Sequence, residues 1–345
     1  MTDRPAGPFS PASLRTFFAS ALDAAGLVPE EAAIVADVLI EAEERGYDSQ
    51  GVMRLPSYLD LARGGGLRSP ARLDVRREAP AAFSVDAHDG WGPVVGLRVM
   101  QMCVERARQT GVCVASIVHL GHVGRLGHYV EAAARENLIG IFALCGNPGS
   151  ATMAPWGGRE PRLSTNPLAL GFPRPGGDPI VVDISSTQAA RGKILLAAAR
   201  GEPIPDSWAF DGDGYPTTDP KRGLPPAGSL APLGGHKGYA IAVAVELLCG
   251  GLAGEYPPKS AGVFVAAINV AAVTNPDDYA YAAGEVDRRM QSSPLRPGFD
   301  EILLPGAGSA RRKRAAERDG IRVPAVVWRA VVEAAGRVGV VAPDA

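Results

Sequence analysis

HLGHVGRLGHY, residues 119 to 129, lies between a β-like run, GVCVASIV, and YVEAAAREN, whose apolar spacing predicts a helix. Three of the chain's five histidines fall here. A strand-to-helix turn exposes backbone while its flanking elements hold the side chains, which suits a reactive histidine. The bland alternative makes all three ordinary, partly buried imidazoles. Spacing argues against a metal: His122 and His128 sit about 240° apart around a helix, and no acidic residue joins them before Glu131. The glycines bear on the fold. Gly121, Gly124 and Gly127 do not spell GxGxxG, that pattern occurs nowhere in the chain, and there is no Walker A loop. Neither a Rossmann dinucleotide site nor a P-loop site has sequence support.

Upstream of this stretch, Ser10 and Pro11 form a cap and first-turn pair, and SLRTFFASALDAAGL keeps its apolar residues on one face, predicting a helix. Pro29 opens a second helix, PEEAAIVADVLIEAEERG, that ends at Gly46. GYDSQGVMRLPSYL, residues 46 to 59, then passes through a turn-like DSQG into a predicted third helix. After Gly64, Gly65 and Gly66 the texture is mixed α and β. Helices are predicted from Pro93 to about Thr110, over YVEAAAREN and over TQAARGKILLAAARG, and strands over GVCVASIV, IGIFALC, LALGF and PIVVDIS. Residues 201 to 234, rich in Pro, Gly and Asp, read as loop. A helix, KGYAIAVAVELLCGGLAG, follows. The remainder reads as a strand (GVFVAAI), a helix after Asn275-Pro276, a short strand (EILLP) and two C-terminal helices.

A chain of 345 residues can hold two domains and a sizeable core. No apolar run reaches the roughly 18 residues of a membrane span, and the start, MTDRPAGPFS, lacks a signal-peptide core, so a cytoplasmic protein with no membrane partner is expected. Net charge is −2 and the basic residues are scattered apart from RRKR at 311 to 314, which reads as a solvated helix face. No nucleic-acid partner is expected. Cys103, Cys113, Cys145 and Cys249 lie in apolar runs without metal-like spacing and read as core thiols.

Several polar groups stand out beside the histidines. GNPGSATMAPWGGREPRLSTNP, 146 to 167, offers Asn147, Thr165 and Asn166 as hydrogen-bonding groups, or is two surface loops. Asp183 ends a predicted strand, where it can take ribose hydroxyls or cap TQAARGKI. Lys237 and Gly238, in GGHKGY, open a helix, where free N–H groups and a lysine suit a phosphate, or mark an ordinary helix start.

Taken in order, HxGxxGxY at 122 to 129, APWGG with TNPLA between 154 and 169, DISS at 183 with ARGK at 190, IPDSWA with DGYPTTDP between 204 and 220, and GGHKGYA at 234 resemble the malate/L-lactate dehydrogenase-like oxidoreductases. This non-Rossmann family includes ureidoglycolate, sulfolactate and diketogulonate dehydrogenases and cyclic imino acid reductases. The resemblance runs from about Ala42 to about Gly339. It implies an α/β fold whose central mixed, largely antiparallel sheet (81–269) binds the nicotinamide cofactor, with a helical substrate domain from both termini (1–80 and 270–345). It also implies a homodimer with its site near the subunit interface.

Carried over by residue, the resemblance makes His122 the group that exchanges a proton with the substrate. It places Asp183, Ile184 and Ser185, with Lys237 and Gly238, against NAD(P)H. A guanidinium at Arg54 suits a substrate carboxylate as a bidentate partner, and Ser49, Tyr58, Asn147, Thr165 and Asn166 join the substrate side. The chain departs from the family at Gln50, where the usual Ser-His-Gly reads Ser-Gln-Gly and the proposed proton donor of some members is lost. Gly146, Ala307 and a shortened segment after Gly254 also depart. The implied activity is hydride transfer from or to NAD(P)(H) at the α-carbon of a small 2-keto/2-hydroxy acid or a cyclic imino acid. The alternative is a redox-inactive binding or accessory protein that keeps the fold.

Overall fold

The structure, a computed structural model, describes residues 5–344, so the first four residues of MTDRPAGPFS lie outside it. The chain opens with β1 (Ala6–Phe9), α1 (Pro11–Ala24), α2 (Pro29–Glu44) and α3 (Leu55–Arg63). Ser10 caps α1 by accepting the Ser13 N–H at 3.1 Å. DSQG forms short 3₁₀ turns at Asp48–Gln50 and Val52–Arg54 that precede α3. Leu55, Tyr58 and Leu59, three and four residues apart, give α3 its buried face.

Next come β2 (Asp74–Ala79), β3 (Ala82–Gly90), α4 (Gly92–Thr110), β4 (Val112–Leu120), α5 (Gly127–Arg135), β5 (Leu138–Cys145), β6 (Leu168–Phe172) and β7 (Ile180–Ile184). They are followed by α6 (Arg191–Arg200), β8 (Ala209–Asp211), β9 (Gly228–Leu230), α7 (His236–Glu246), β10 (Gly262–Asn269), α8 (Val270–Val273) and α9 (Pro276–Gln291). The chain closes with α10 (Ala307–Asp319), β11 (Ile321–Val323) and α11 (Ala325–Gly336).

A seven-stranded sheet, ordered β2-β3-β4-β10-β5-β6-β7, organises the middle of the chain. Only β3 and β4 run parallel; every other pair is antiparallel. β4 and β5 both oppose β10, and β7 runs with β5. The C-terminal ends of β4, β5 and β7 and the start of β6 therefore share one end of the sheet. The buried face of α4 covers the sheet through Val95, Val99, Met100, Cys103, Val104 and Ala107. α5 lies closer: a Cβ on Gly171 would fall 2.2 Å from the Val130 carbonyl oxygen, so only glycine permits this approach. A second core joins α1, α2 and α3 to β11 and α11 through Leu14, Phe18, Leu39, Leu55, Val323 and Val331.

Five features differ from the sequence reading. β2 and β3 are strands that the pattern hid, because DVRREA is an exposed edge and AFSVDAHDG has no continuous apolar run; β2 lies in the sheet although residues 1–80 were expected to be helical. TQAA is not helical, and α6 starts only at Arg191. EILLP makes no ladder; Pro305 accepts one bond from the Val181 N–H of β7. Residues 201–234 carry the pair β8–β9 and a small core of Met153, Ile194, Ile204, Ala209, Leu224 and Leu230. RRKR is only partly a solvated face, since Arg312 reaches inward to the Arg45 carbonyl at 2.7 Å. All four cysteines are buried free thiols, and no described helix is long and apolar enough to cross a membrane.

Candidate active site

The three clustered histidines separate by their partners. His119 binds Asp86 at 2.9 Å and Glu255 at 3.0 Å, and His128 binds Glu41 at 2.6 Å. His122 has no carboxylate partner among the described residues. Its Nδ1 lies 2.8 Å from the Tyr58 hydroxyl and 3.3 Å from the Gly124 N–H. His122 is exposed at the surface, yet protein atoms crowd its ring. That crowding, with the charge of Arg54 second, lowers its pKa to about 4, so the imidazole is neutral at neutral pH.

Arg54 stands where the 3₁₀ turn passes into α3, and its Nε donates to the Ser49 carbonyl at 2.7 Å. Ser49 packs against the start of α6, since a Cβ on Gly192 would lie 2.6 Å from the Ser49 Cβ. The SQG turn thus spans from the neighbourhood of His122 to ARGK. The Gln50 side-chain oxygen is buried and has no hydrogen-bond partner. Tyr58 is buried beside Trp91, and burial raises the pKa of its phenol.

From β4 to β7 is four strand spacings, about 19 Å. α5 closes that gap: the Gly127 N–H at its start donates to Asp183 Oδ2 at 2.8 Å. Asp183 therefore caps α5 and not the TQAARGKI segment. Burial raises its pKa, against the pull of Arg125 and this N–H. Arg125 was not anticipated. It is buried without a hydrogen bond, 3.5 Å from Glu41 and 3.8 Å from both Glu131 and Asp183, and these acids come from three separate elements that no local spacing could reveal.

The Thr165 carbonyl accepts from the Ser186 N–H at 3.0 Å and from the Ser185 and Ser186 hydroxyls at 3.2 and 2.8 Å, which joins the TNP loop to DISS. Asn166 is fully buried, and its Nδ2 donates to the Ala242 carbonyl at 3.0 Å and to Glu246 at 2.9 Å. Its amide nitrogen holds the loop to α7, and its side-chain oxygen is buried without a hydrogen-bond partner. Asn147 donates to the Lys259 carbonyl at 3.3 Å. A side chain at Gly146 would meet Ser150 and Ser164, whose hydroxyls already fill that space.

The groups expected to hold a dinucleotide fit one. α7 starts without a side-chain cap, which leaves free N–H groups, and Lys237 is exposed with no ion-pair partner among the described residues. A Cβ on Gly238 would fall 2.4 Å from the Leu233 nitrogen and 2.5 Å from the Ser186 oxygen, so glycine draws this helix start onto the DISS segment. The start of α6, with exposed Arg191 and Lys193, is uncapped as well. Ile184, at the end of β7, is exposed. An uncapped helix start with a free lysine offers the N–H groups and positive charge that a phosphate needs.

The family described as malate/L-lactate dehydrogenase matches residues 9–332. The (2R)-3-sulfolactate dehydrogenase (NADP(+)) of Chromohalobacter salexigens is 36% identical over 309 residues, 90% of this chain and 87% of the relative. The Delta(1)-pyrroline-2-carboxylate reductase of Pseudomonas fluorescens is 39% identical over 230 residues, 67% of each chain. The crystal structure of malate dehydrogenase from Entamoeba histolytica superposes with a TM-score of 0.91 at 27% identity, covering 98% of this chain and 99% of that one.

Proposed function

The chain belongs to the malate/L-lactate dehydrogenase family and is an NAD(P)-dependent oxidoreductase acting on small 2-keto/2-hydroxy acids or cyclic imino acids; on that premise we propose that His122 exchanges the substrate proton and Arg54 holds the substrate carboxylate. The observation that carries this reading is the pairing of one imidazole free of acidic partners with a cation close enough to depress its pKa. A carboxylate on Arg54 would cancel part of that depression and make His122 a better base when substrate is bound.

The bound cofactor supplies or accepts the hydride. The protein's part is positioning and proton exchange, and a placed acid or base contributes roughly 10²–10⁴-fold. Lys237, the uncapped helix starts and the Asp183–Ser185 segment support cofactor binding, with Arg125 keeping Asp183 in place. Ser49, Gln50, Asn147 and Thr165 line the substrate side, while Asn166 anchors its loop. We assign the helical core to residues 1–80 with 270–345 and the cofactor-binding sheet to 81–269, β2 being an edge strand contributed from the first part.

A homodimer is supported by α9, which buries no residue within the chain while leaving Tyr281, Val286 and Met290 exposed. Four unpaired buried thiols suit the reducing cytoplasm. The relatives named above are dehydrogenases and a reductase, which gives the redox-inactive alternative no support.

Turnover of keto acids and cyclic imines with NADH and NADPH, followed by nicotinamide absorbance, tests the activity. In the same assay His122→Ala should abolish turnover while cofactor Kd stays within several-fold of wild type. Near-normal kcat in that variant would remove His122 from the mechanism.

A further inference from the structure

We propose that His119, in its protonated form, is a clasp that ties residues 255–260 to the end of the sheet and through them positions Asn147, and that deprotonation opens it. The clasp stands on side-chain contacts, while its effect on turnover rests on the placing of Asn147 at the substrate side. Near the end of β4, His119 Nδ1 lies 2.9 Å from Asp86 Oδ1 and Nε2 lies 3.0 Å from Glu255 Oε2. A neutral imidazole has one N–H and one lone pair, so it can donate to one of these carboxylates and must turn its lone pair to the other. The imidazolium carries a proton on each nitrogen and attracts both. A carboxylate oxygen beside each nitrogen therefore selects the charged ring.

Both acids keep their own charge. Burial works to raise the Asp86 pKa, but the His88 N–H, His119 and Arg76 lower it to about 2. Glu255 is lowered by Lys259 first and, against its burial, by His119. The two differ in what else holds them. Asp86 is 7% exposed and also accepts the His88 N–H at 3.0 Å and a bond from Arg76. Glu255 stands on a segment, 255–260, that makes no backbone–backbone hydrogen bond among the described residues. When the ring loses a proton, Nδ1–H stays on Asp86 and Glu255 is the partner released.

That release reaches the loop after β5. The Lys259 carbonyl accepts from Asn147 Nδ2 at 3.3 Å, and Gly262, where β10 begins, pairs with Cys145 at the end of β5. The other charges around the ring do not replace it. His88 is held by Asp74 at 2.8 Å and comes no nearer than 3.9 Å to Asp86, Lys259 sits on Glu255 at 3.0 Å, and Arg68 and Asp89 line the cavity beside them. His88, Asp89 and His119 all hold positive φ, at 47°, 60° and 56°, a concentration of strained backbone of the kind found where function demands it.

The test compares the ends of the range, about pH 5 to 8, over which histidines change charge. Glu255→Ala removes the released partner and leaves His119 and Asp86 intact. At about pH 5 its substrate KM should exceed that of wild type by about 3- to 10-fold; at about pH 8, where wild type is open as well, the two should agree within about 2-fold. The ratio cancels every titration the two proteins share, that of His122 included. NMR titration of protein carrying ¹³C-labelled histidine, with His119 identified by its loss in His119→Gln, should show a lower His119 midpoint in Glu255→Ala than in wild type, because the imidazolium loses an anionic partner. An unmoved midpoint overturns the clasp. Asn147→Ala should raise KM at both pH values. If it does, a KM ratio that is independent of pH overturns the positioning of Asn147 by the clasp; an unchanged KM in Asn147→Ala overturns the substrate-side assignment instead.

Discussion

Gln50 is the residue that most distinguishes this site. Its buried, unpartnered side-chain oxygen is costly as it stands, about 1–3 kcal/mol for a buried polar group left unsatisfied. A ligand that brings a donor would relieve that cost. A protonated cyclic imine brings an N–H and becomes a neutral amine on hydride addition without needing an acid. A keto acid brings only acceptors and ends as an alkoxide that must be protonated. Cyclic imino acids are therefore expected to have a higher kcat/KM than matched linear keto acids, and Gln50→His should raise keto-acid turnover more than imine turnover. Steady-state kinetics on both substrates with both proteins decides the matter. A wild-type preference for the keto acid, with the histidine variant slowing both equally, would mean that position 50 only shapes the pocket.

Among the elements, α2 bears directly on the SQG turn through Glu43. Glu43 accepts the Val52 N–H at 2.8 Å and occupies the space where a Gly51 side chain would stand, 2.1 Å from that absent Cβ. Burial first, and the charge of Asp48 after it, push the carboxyl up to about 7 from 4.5, against the pull of the Val52 N–H. The folded state thus holds this proton more tightly than the unfolded chain. Its contribution is fully present below about 4.5 and is lost as pH rises through about 7. Wild-type stability should accordingly fall across that window by on the order of 2 kcal/mol more than that of Glu43→Gln, which cannot titrate. Denaturant midpoints measured at several pH values test this; parallel curves for the two proteins would show that Glu43 is not the group responsible.

At the scale of the molecule, α9 is unfinished in a single chain. A helix of 16 residues none of which is fully buried has little to hold it, since isolated helices near that length are marginal in water. A second copy lying on Tyr281, Val286 and Met290 would supply the missing packing. Sedimentation should show a dimer for the wild type and a monomer with reduced activity for Tyr281→Glu/Val286→Glu; a monomeric wild type at micromolar concentration refutes this. What the sequence determined by itself is what depends on local pattern. The capped amphipathic helices α1 and α2, the apolar strands β4, β5 and β7, the turn carrying His122 and the start of α7 at Lys237 were all legible because spacing along the chain fixes which face is apolar. The edge strand β2 was not, because charged residues on an exposed edge look like loop until a neighbour pairs with them. Nor was the sorting of the histidines. Asp86, Glu255 and Glu41 claim His119 and His128, and Tyr58 claims His122, through contacts between segments far apart in the chain. Only the packing of the helical core against the sheet end decides which imidazole is left without a carboxylate partner.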